Sequence, residues 1–232
     1  MFKLGESSVD AANGTLIHEF QHMVNFNVKV TQRLNQKKDP IYEDRWLDEG
    51  MSTYAEQLGG YGLPANDEFS AQYLQSFFKD PSVVPIVTND GTINYGTSLL
   101  FVLYLVEQYG ADVLKKLTIS DKGGIENIEY VTGKPFKTTF NEWATAMLLS
   151  GSKKDAKFDF KSVNLHKKYG KFTLDGVNLN NSINEFPKKA GFNMYNWTVN
   201  YIKLDDLAKN KVNMNIKHNG KGTLSASLIK IK

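Results

Sequence analysis

The hydrophobic pattern of the chain changes period near residue 151, and this change restricts the fold more than any other feature. Up to about Gly151, apolar residues recur at helical spacing, with Leu99, Val102, Leu103 and Val106 as the clearest set. From about Lys157 the segments KFDFKSVNL, GKFTLDGVNL, NWTVNYIKL, KVNMNIKH and TLSASLIKIK alternate apolar and polar residues, with Gly, Asn, Asp and Lys between them. Alternation is the mark of a strand with one wet face. The two patterns predict an α+β protein: a mainly helical part over residues 1–151, then a small antiparallel β-sandwich of five or more strands over 152–232. GSKKDAK, residues 151–157, is the expected linker.

Start and stop signals divide the first part into helices. Ser7, Ser8 or Asp10 can cap a helix running through His22 to about Phe26. Asp44 can cap a second, RWLDEGMSTYAEQL, which stops at Gly59-Gly60. DEFSAQYLQSFF, a helix from about Tyr95 to Tyr109, shorter ones over 111–118 and 124–131, and TFNEWATAMLL follow.

Composition excludes several functions. The 232 residues carry no cysteine, so disulfides, thiolate ligands and a cysteine nucleophile are out. The net charge is only +3 and the lysines are spread along the chain, which gives no nucleic-acid or membrane-surface patch. The longest apolar run, LLFVLYLV, is too short for a membrane span. The first residues, MFKLGESSVD, contain no apolar signal core.

The stretch TLIHEFQHMVN holds two of the four histidines. On a helix, His18 and His22 lie one turn apart on the same face and can direct two imidazoles at one ion. Glu19 follows the first of them, beside the coordination position left open. A carboxylate there can take a proton from water activated by the metal, whose pKa falls to about 7. This is the H-E-x-x-H arrangement of zinc peptidases. The bland alternative is an amphipathic helix with polar residues in ordinary places.

A catalytic zinc site wants three protein ligands. His166 and His218 fall in lysine-rich surroundings and read as surface histidines. The carboxylates of WLDEGMSTYAE, which begins 24 residues after His22, are the natural donors. Glu49 precedes Gly50, where a missing side chain lets two helices approach closely. Asp48 points about 100° away from it around the helix. Glu56, two turns on, is a competing ligand, a partner to a ligand, or a solvated glutamate.

These two segments together resemble the gluzincin peptidases, in which a glutamate on a downstream helix completes the zinc site. W-L-x-E-G is shared with aminopeptidases of the leukotriene-hydrolase type. The wider pattern, TLIHEFQHMVNF followed by WLDEGMSTYAE, is most similar to the hyicolysin-type neutral metallopeptidases of Gram-positive bacteria. The resemblance covers residues 15–60 specifically and weakens towards 150. It implies a zincin fold for the helical part, with His18, His22 and Glu49 as ligands of Zn2+ and Glu19 as general base. It also implies an oxyanion donor after the zinc glutamate. Tyr95, in INYGTSLLFVLYLVEQYG, fits that place, as it equally fits an aromatic packing the start of a helix; Tyr54 is a weaker candidate.

The sequence departs from the family twice. Thermolysin-like relatives carry an aspartate four residues after the zinc glutamate, which orients a ligand histidine; this chain has Thr53 there, and the role is left unassigned among Asp48, Thr53 and Glu56. Gluzincins also have a β-sheet before the zinc helix, and only 17 residues precede His18. That predicts that the chain belongs to a larger enzyme whose N-terminal part it lacks.

The expectation is therefore a zinc metalloendopeptidase acting on protein or peptide substrates. From the resemblance, the Lys/Asn-rich composition and the lack of cysteine, it is expected to be secreted or on the cell surface. The alternatives are an aminopeptidase, although the G-A-M-E-N segment is absent, or a peptidase-like binding module without activity.

Overall fold

A computed structural model of the chain describes residues 6–88, 91–152, 154–179, 181–183, 190–204 and 214–230. Eight α-helices follow in order among them: α1 Glu6–Phe26, α2 Gln32–Asn35, α3 Arg45–Leu58, α4 Glu68–Lys79, α5 Tyr95–Tyr109, α6 Asp112–Ile119, α7 Gly124–Thr132 and α8 Phe136–Leu149. A π-helical turn, Asn27–Thr31, joins α1 to α2. No described helix is long and apolar enough to cross a membrane.

α1 and α3 end and begin near their expected places, but not through the expected side-chain caps. α3 begins after Asp44, whose carbonyl accepts the N–H groups of Leu47 and Asp48 at 2.9 and 3.0 Å. The Asp44 side chain faces the Trp46 indole instead of capping. Asn94 caps α5 by accepting from the Thr97 N–H at 2.9 Å. Ser7, Ser8 and Asp10, expected as caps, lie inside α1, which has already begun at Glu6.

α5 is the centre of the molecule. From Leu99 to Leu105 every side chain is buried, on all sides of the helix. Helical spacing alone suggested one apolar face; a helix buried all round needs neighbours on every side. α3 is the closest of them. A Cβ on Gly50 would lie 2.8 Å from the Ser98 carbonyl and 2.9 Å from the Val102 side chain. Trp46, Phe101 and Trp143 link α3, α5 and α8 edge to face, at ring-centroid distances of 5.7 and 5.5 Å.

The strand-like region is mixed into this core. Among the described residues, β1 Lys168–Tyr169 pairs antiparallel with β2 Phe172–Thr173, and β3 Asn181–Ile183 pairs parallel with β4 Ile202–Leu204. No five-stranded antiparallel sandwich forms among them. The first three residues of KVNMNIKH and the last two of TLSASLIKIK lie outside the described residues.

The physical reason is where the alternating apolar residues go. Phe160, Val163, Leu165, Tyr169 and Leu174 join the same buried cluster as Trp46, Phe77 and Phe101. Backbone groups of this region bond to the helical part: Asn178 N–H to the Phe78 carbonyl at 2.9 Å, and the Trp197 carbonyl to Ile86 N–H at 3.1 Å. Tyr201 donates its hydroxyl to the Ala144 carbonyl at 2.7 Å. The helices supply the hydrophobic partner that a second sheet would otherwise have supplied. Met214, Ile216, Leu224 and Leu228 remain exposed.

Candidate metal centre

α1 and α3 run antiparallel, and their facing sides carry the polar residues singled out in the sequence. Helical spacing places His18 and His22 together, with ring centroids 4.9 Å apart. α3 brings Glu49 against both. His18 Nε2 lies 3.2 Å from His22 Nε2 and 3.1 Å from Glu49 Oε2, and His22 Nε2 lies 3.5 Å from the same oxygen. These three residues form the group among the described residues whose ligand atoms converge closely enough for a metal ion.

The opposite edge of each imidazole meets another carboxylate. His18 Nδ1 lies 2.7 Å from Glu56 Oε1, and His22 Nδ1 lies 2.9 Å from Asp48 Oδ2. A carboxylate accepts only, so each Nδ1 carries its proton, and in the neutral ring each Nε2 lone pair then faces the centre. Asn25 donates to the other oxygen of Asp48 at 2.7 Å, and the Ser52 hydroxyl lies 3.1 Å from His22 Nδ1. Arg45 stands 3.6 Å from Glu49 Oε1, the oxygen turned away from the histidines.

Three acceptor atoms this close repel one another unless a positive centre lies among them. Without a metal, protons take that part. Burial opposes charge on His18, but hydrogen bonds to Glu49 and Glu56 outweigh it and raise its pKa to about 9. Hydrogen bonds to Asp48 and Glu49, against the opposing effect of burial, raise His22 to about 10. Burial opposes ionisation of Glu49, yet the two imidazoles hold it down at about 2.

The same triangle suits a metal. A tetrahedral zinc ion with bonds of about 2.0–2.1 Å sets its ligand atoms about 3.4 Å apart. The observed edges of 3.1, 3.2 and 3.5 Å surround that value. Two imidazole nitrogens and one carboxylate oxygen are a zinc donor set, and His18, His22 and Glu49 could hold the ion. No protein-family model matches the chain, and no curated protein matches it.

The remaining candidates fall on both sides of the cluster. Glu19 is exposed on α1. The Tyr95 ring, at the start of α5, lies 6.3 Å from the His18 ring and packs on Phe69 and Tyr73 at 5.3 and 5.5 Å. Burial and then the Glu49 charge, with a smaller part from Glu19, raise the Tyr95 pKa, so its hydroxyl stays a donor. Thr53 does not reach the histidines; its hydroxyl donates to the Glu49 carbonyl at 2.8 Å. Tyr54 lies about 140° around α3 from Glu49, in the wall of a cavity of about 350 Å3 with Val24, Met51 and Leu114. His166 and His218 are exposed, as expected.

Sequence reasoning overlooked Asn25, Ser52 and Arg45. Each lies three or four residues from His22 or Glu49 on the same helix, which is the signal that could have found them.

Proposed function

We propose that the chain is a zinc peptidase of gluzincin type, cutting peptide bonds inside protein substrates. The observation that carries this reading is the triangle of His18 Nε2, His22 Nε2 and Glu49 Oε2 with edges of 3.1–3.5 Å, each imidazole backed by a carboxylate on Nδ1. When bound, zinc would supply Lewis acidity towards a peptide carbonyl and lower the pKa of water to about 7.

The chain's own residues divide the remaining work. Glu56 and Asp48 hold the imidazoles in one tautomer and one orientation. Glu19, next to a ligand and open to solvent, takes a proton from the attacking water and passes it to the leaving amine. Tyr95 donates its hydroxyl to the substrate carbonyl oxygen as negative charge gathers there. Arg45 neutralises the outer oxygen of Glu49. In this reading the helical part is the catalytic subdomain of a zincin and the enzyme acts outside a Gram-positive cell.

The test is metal content by elemental analysis, wild type beside Glu49→Ala, followed by casein hydrolysis. About one zinc per chain is expected, lost in the variant, with hydrolysis that a chelator stops. Wild-type protein that takes up no zinc when it is supplied would sink the reading. Metal without casein hydrolysis, but with cleavage of aminoacyl-anilides, would make the enzyme an aminopeptidase.

A further inference from the structure

A second polar cluster joins α1 to α3 away from the metal centre. Lys29 lies in the π-helical turn after α1, and Glu43 immediately precedes Asp44 at the start of α3. Both side chains are 2% exposed. Lys29 Nζ stands 3.1 Å from Glu43 Oε2 and donates to the Lys122 carbonyl at 2.5 Å. Glu43 also accepts from the Gly124 N–H and from the Asn127 side chain, the latter at 2.8 Å. The Ile41 N–H donates to the Lys29 carbonyl at 3.0 Å.

Nothing in the proposed chemistry uses this pair, yet a buried ion pair is costly unless its partners are well placed. Its position suggests what it does. It sits seven residues beyond His22 and six before Glu49. The contacts between the two helices continue from it as a polar ladder: Asn25 to Asp48, His22 to Ser52, His18 to Glu49 and Glu56, and Asn13 to Tyr61. On the apolar side of the interface, Val24, Val28, Met51, Ala55 and Leu58 line a cavity of about 350 Å3. Leu114 and Ile119 of α6 share that cavity, so the apolar contact between α1 and α3 is open at this place. One residue of slip moves a helix by about 1.5 Å, enough to open the triangle of ligand atoms. The same slip would part Lys29 from Glu43 and leave two buried charges unpaired. Fixing register is the best-attested use of such buried charged groups, and π-helical turns are frequent beside functional sites.

We propose that Lys29 and Glu43 are positioning residues for the metal centre: their ion pair fixes the register of α1 against α3 and so brings both histidines to Glu49. This rests on the metal reading above.

The test pairs Lys29→Met with Glu43→Gln, which removes both charges at nearly constant volume. Zinc affinity is measured by competition with a chromophoric chelator, the visible spectrum of the cobalt-loaded protein reports coordination, and thermal unfolding reports stability. The expected result is a folded variant with little change in Tm, at least tenfold weaker zinc binding, and weakened absorption bands of four-coordinate cobalt. A folded variant with wild-type zinc affinity and cobalt spectrum overturns the proposal alone. Wild-type protein that binds neither ion overturns the metal reading and this proposal together. If the double variant does not fold, Lys29→Arg, which keeps both charges but changes the reach and geometry of the pair, is measured in the same way. Failure of both to fold makes the pair a stability element and also overturns the proposal.

Discussion

His18 Nδ1 and Glu56 Oε1 lie 2.7 Å apart, two helical turns along α3 from the carboxylate that meets the other edge of the same ring. This separates the two glutamates by role. Glu49 faces both Nε2 atoms, and Glu56 holds the far edge of the His18 ring.

Substitutions on α3 should therefore grade in effect. Glu49→Ala removes a ligand and is expected to abolish zinc binding at micromolar metal. Glu56→Gln and Asp48→Asn leave all three ligands in place and should weaken zinc about 10- to 100-fold, the usual loss when a ligand's hydrogen-bond partner is changed. Chelator competition across the three variants measures the order. Equal loss in Glu49→Ala and Glu56→Gln would make Glu56 a ligand.

Glu19→Gln tests a different property. Glu19 is exposed and contacts no ligand among the described residues, so zinc content and Tm should match wild type. Turnover should fall by about 10²–10⁴, the range for a lost general base. Peptide hydrolysis by the zinc-loaded variant decides it, and activity near wild type would remove Glu19 from the mechanism.

Tyr95→Phe should leave zinc bound and lower kcat by about 10²–10³, with little change in KM, as expected on losing one oxyanion donor. The Phe ring can keep the packing on Phe69 and Tyr73. If kcat does not move, Tyr95 only fills space at the start of α5.

The helices and the convergence of His18 and His22 were legible because their signals are local. Asp44 and Gly59 bound α3, and residues 18 and 22 share a helix face whatever surrounds them. The depth of α5 and the partners of the histidines were less so. Leu99 and Leu100 read alike in sequence, and it takes the helices packed around α5, chiefly α3, α4 and α6, to bury both. Asp48 and Glu56 were named as candidates, but which imidazole each would meet depends on the α1–α3 register. That register is fixed in part by Lys29 and Glu43, and no local spacing connects them. Among the described residues the alternating segments form short strand pairs and not the expected sandwich, for a related reason. Period two shows that successive side chains face opposite ways, not what they face. Phe160 and Leu174 found helices instead of a second sheet.

Gly50 is where α3 meets the core. The Cβ of Gly50→Ala would stand 2.8 Å from a backbone oxygen and 2.9 Å from Val102. Overpacking of this kind costs about 1–3 kcal/mol, and each kcal/mol lowers Tm by about 2–4 °C in a chain of this size. Because the displaced helix carries Glu49, zinc affinity should fall along with Tm. An unchanged Tm in thermal unfolding would show that α3 and α5 part without strain.

The protonation of the centre gives a pH signature with a definite sign. Without metal, His18 and His22 titrate at about 9 and 10, above their ordinary 6.5. The stability they contribute is whole below 6.5 and is lost as pH rises through those values. Glu49 titrates at about 2, below its ordinary 4.5, so its contribution is whole above 4.5 and is lost as pH falls through 2. The metal-free protein should thus gain most from the cluster between 4.5 and 6.5. Zinc binding should behave in the opposite way at the alkaline end. The ion must displace the histidine protons, so its affinity should keep rising to about pH 10 and release protons throughout. Unperturbed histidines would instead level off above about pH 7. Zinc titrations in buffers of different ionisation enthalpy measure both the affinity and the protons released. A plateau above neutral pH, with no proton release there, would mean that the carboxylates do not hold these imidazoles charged.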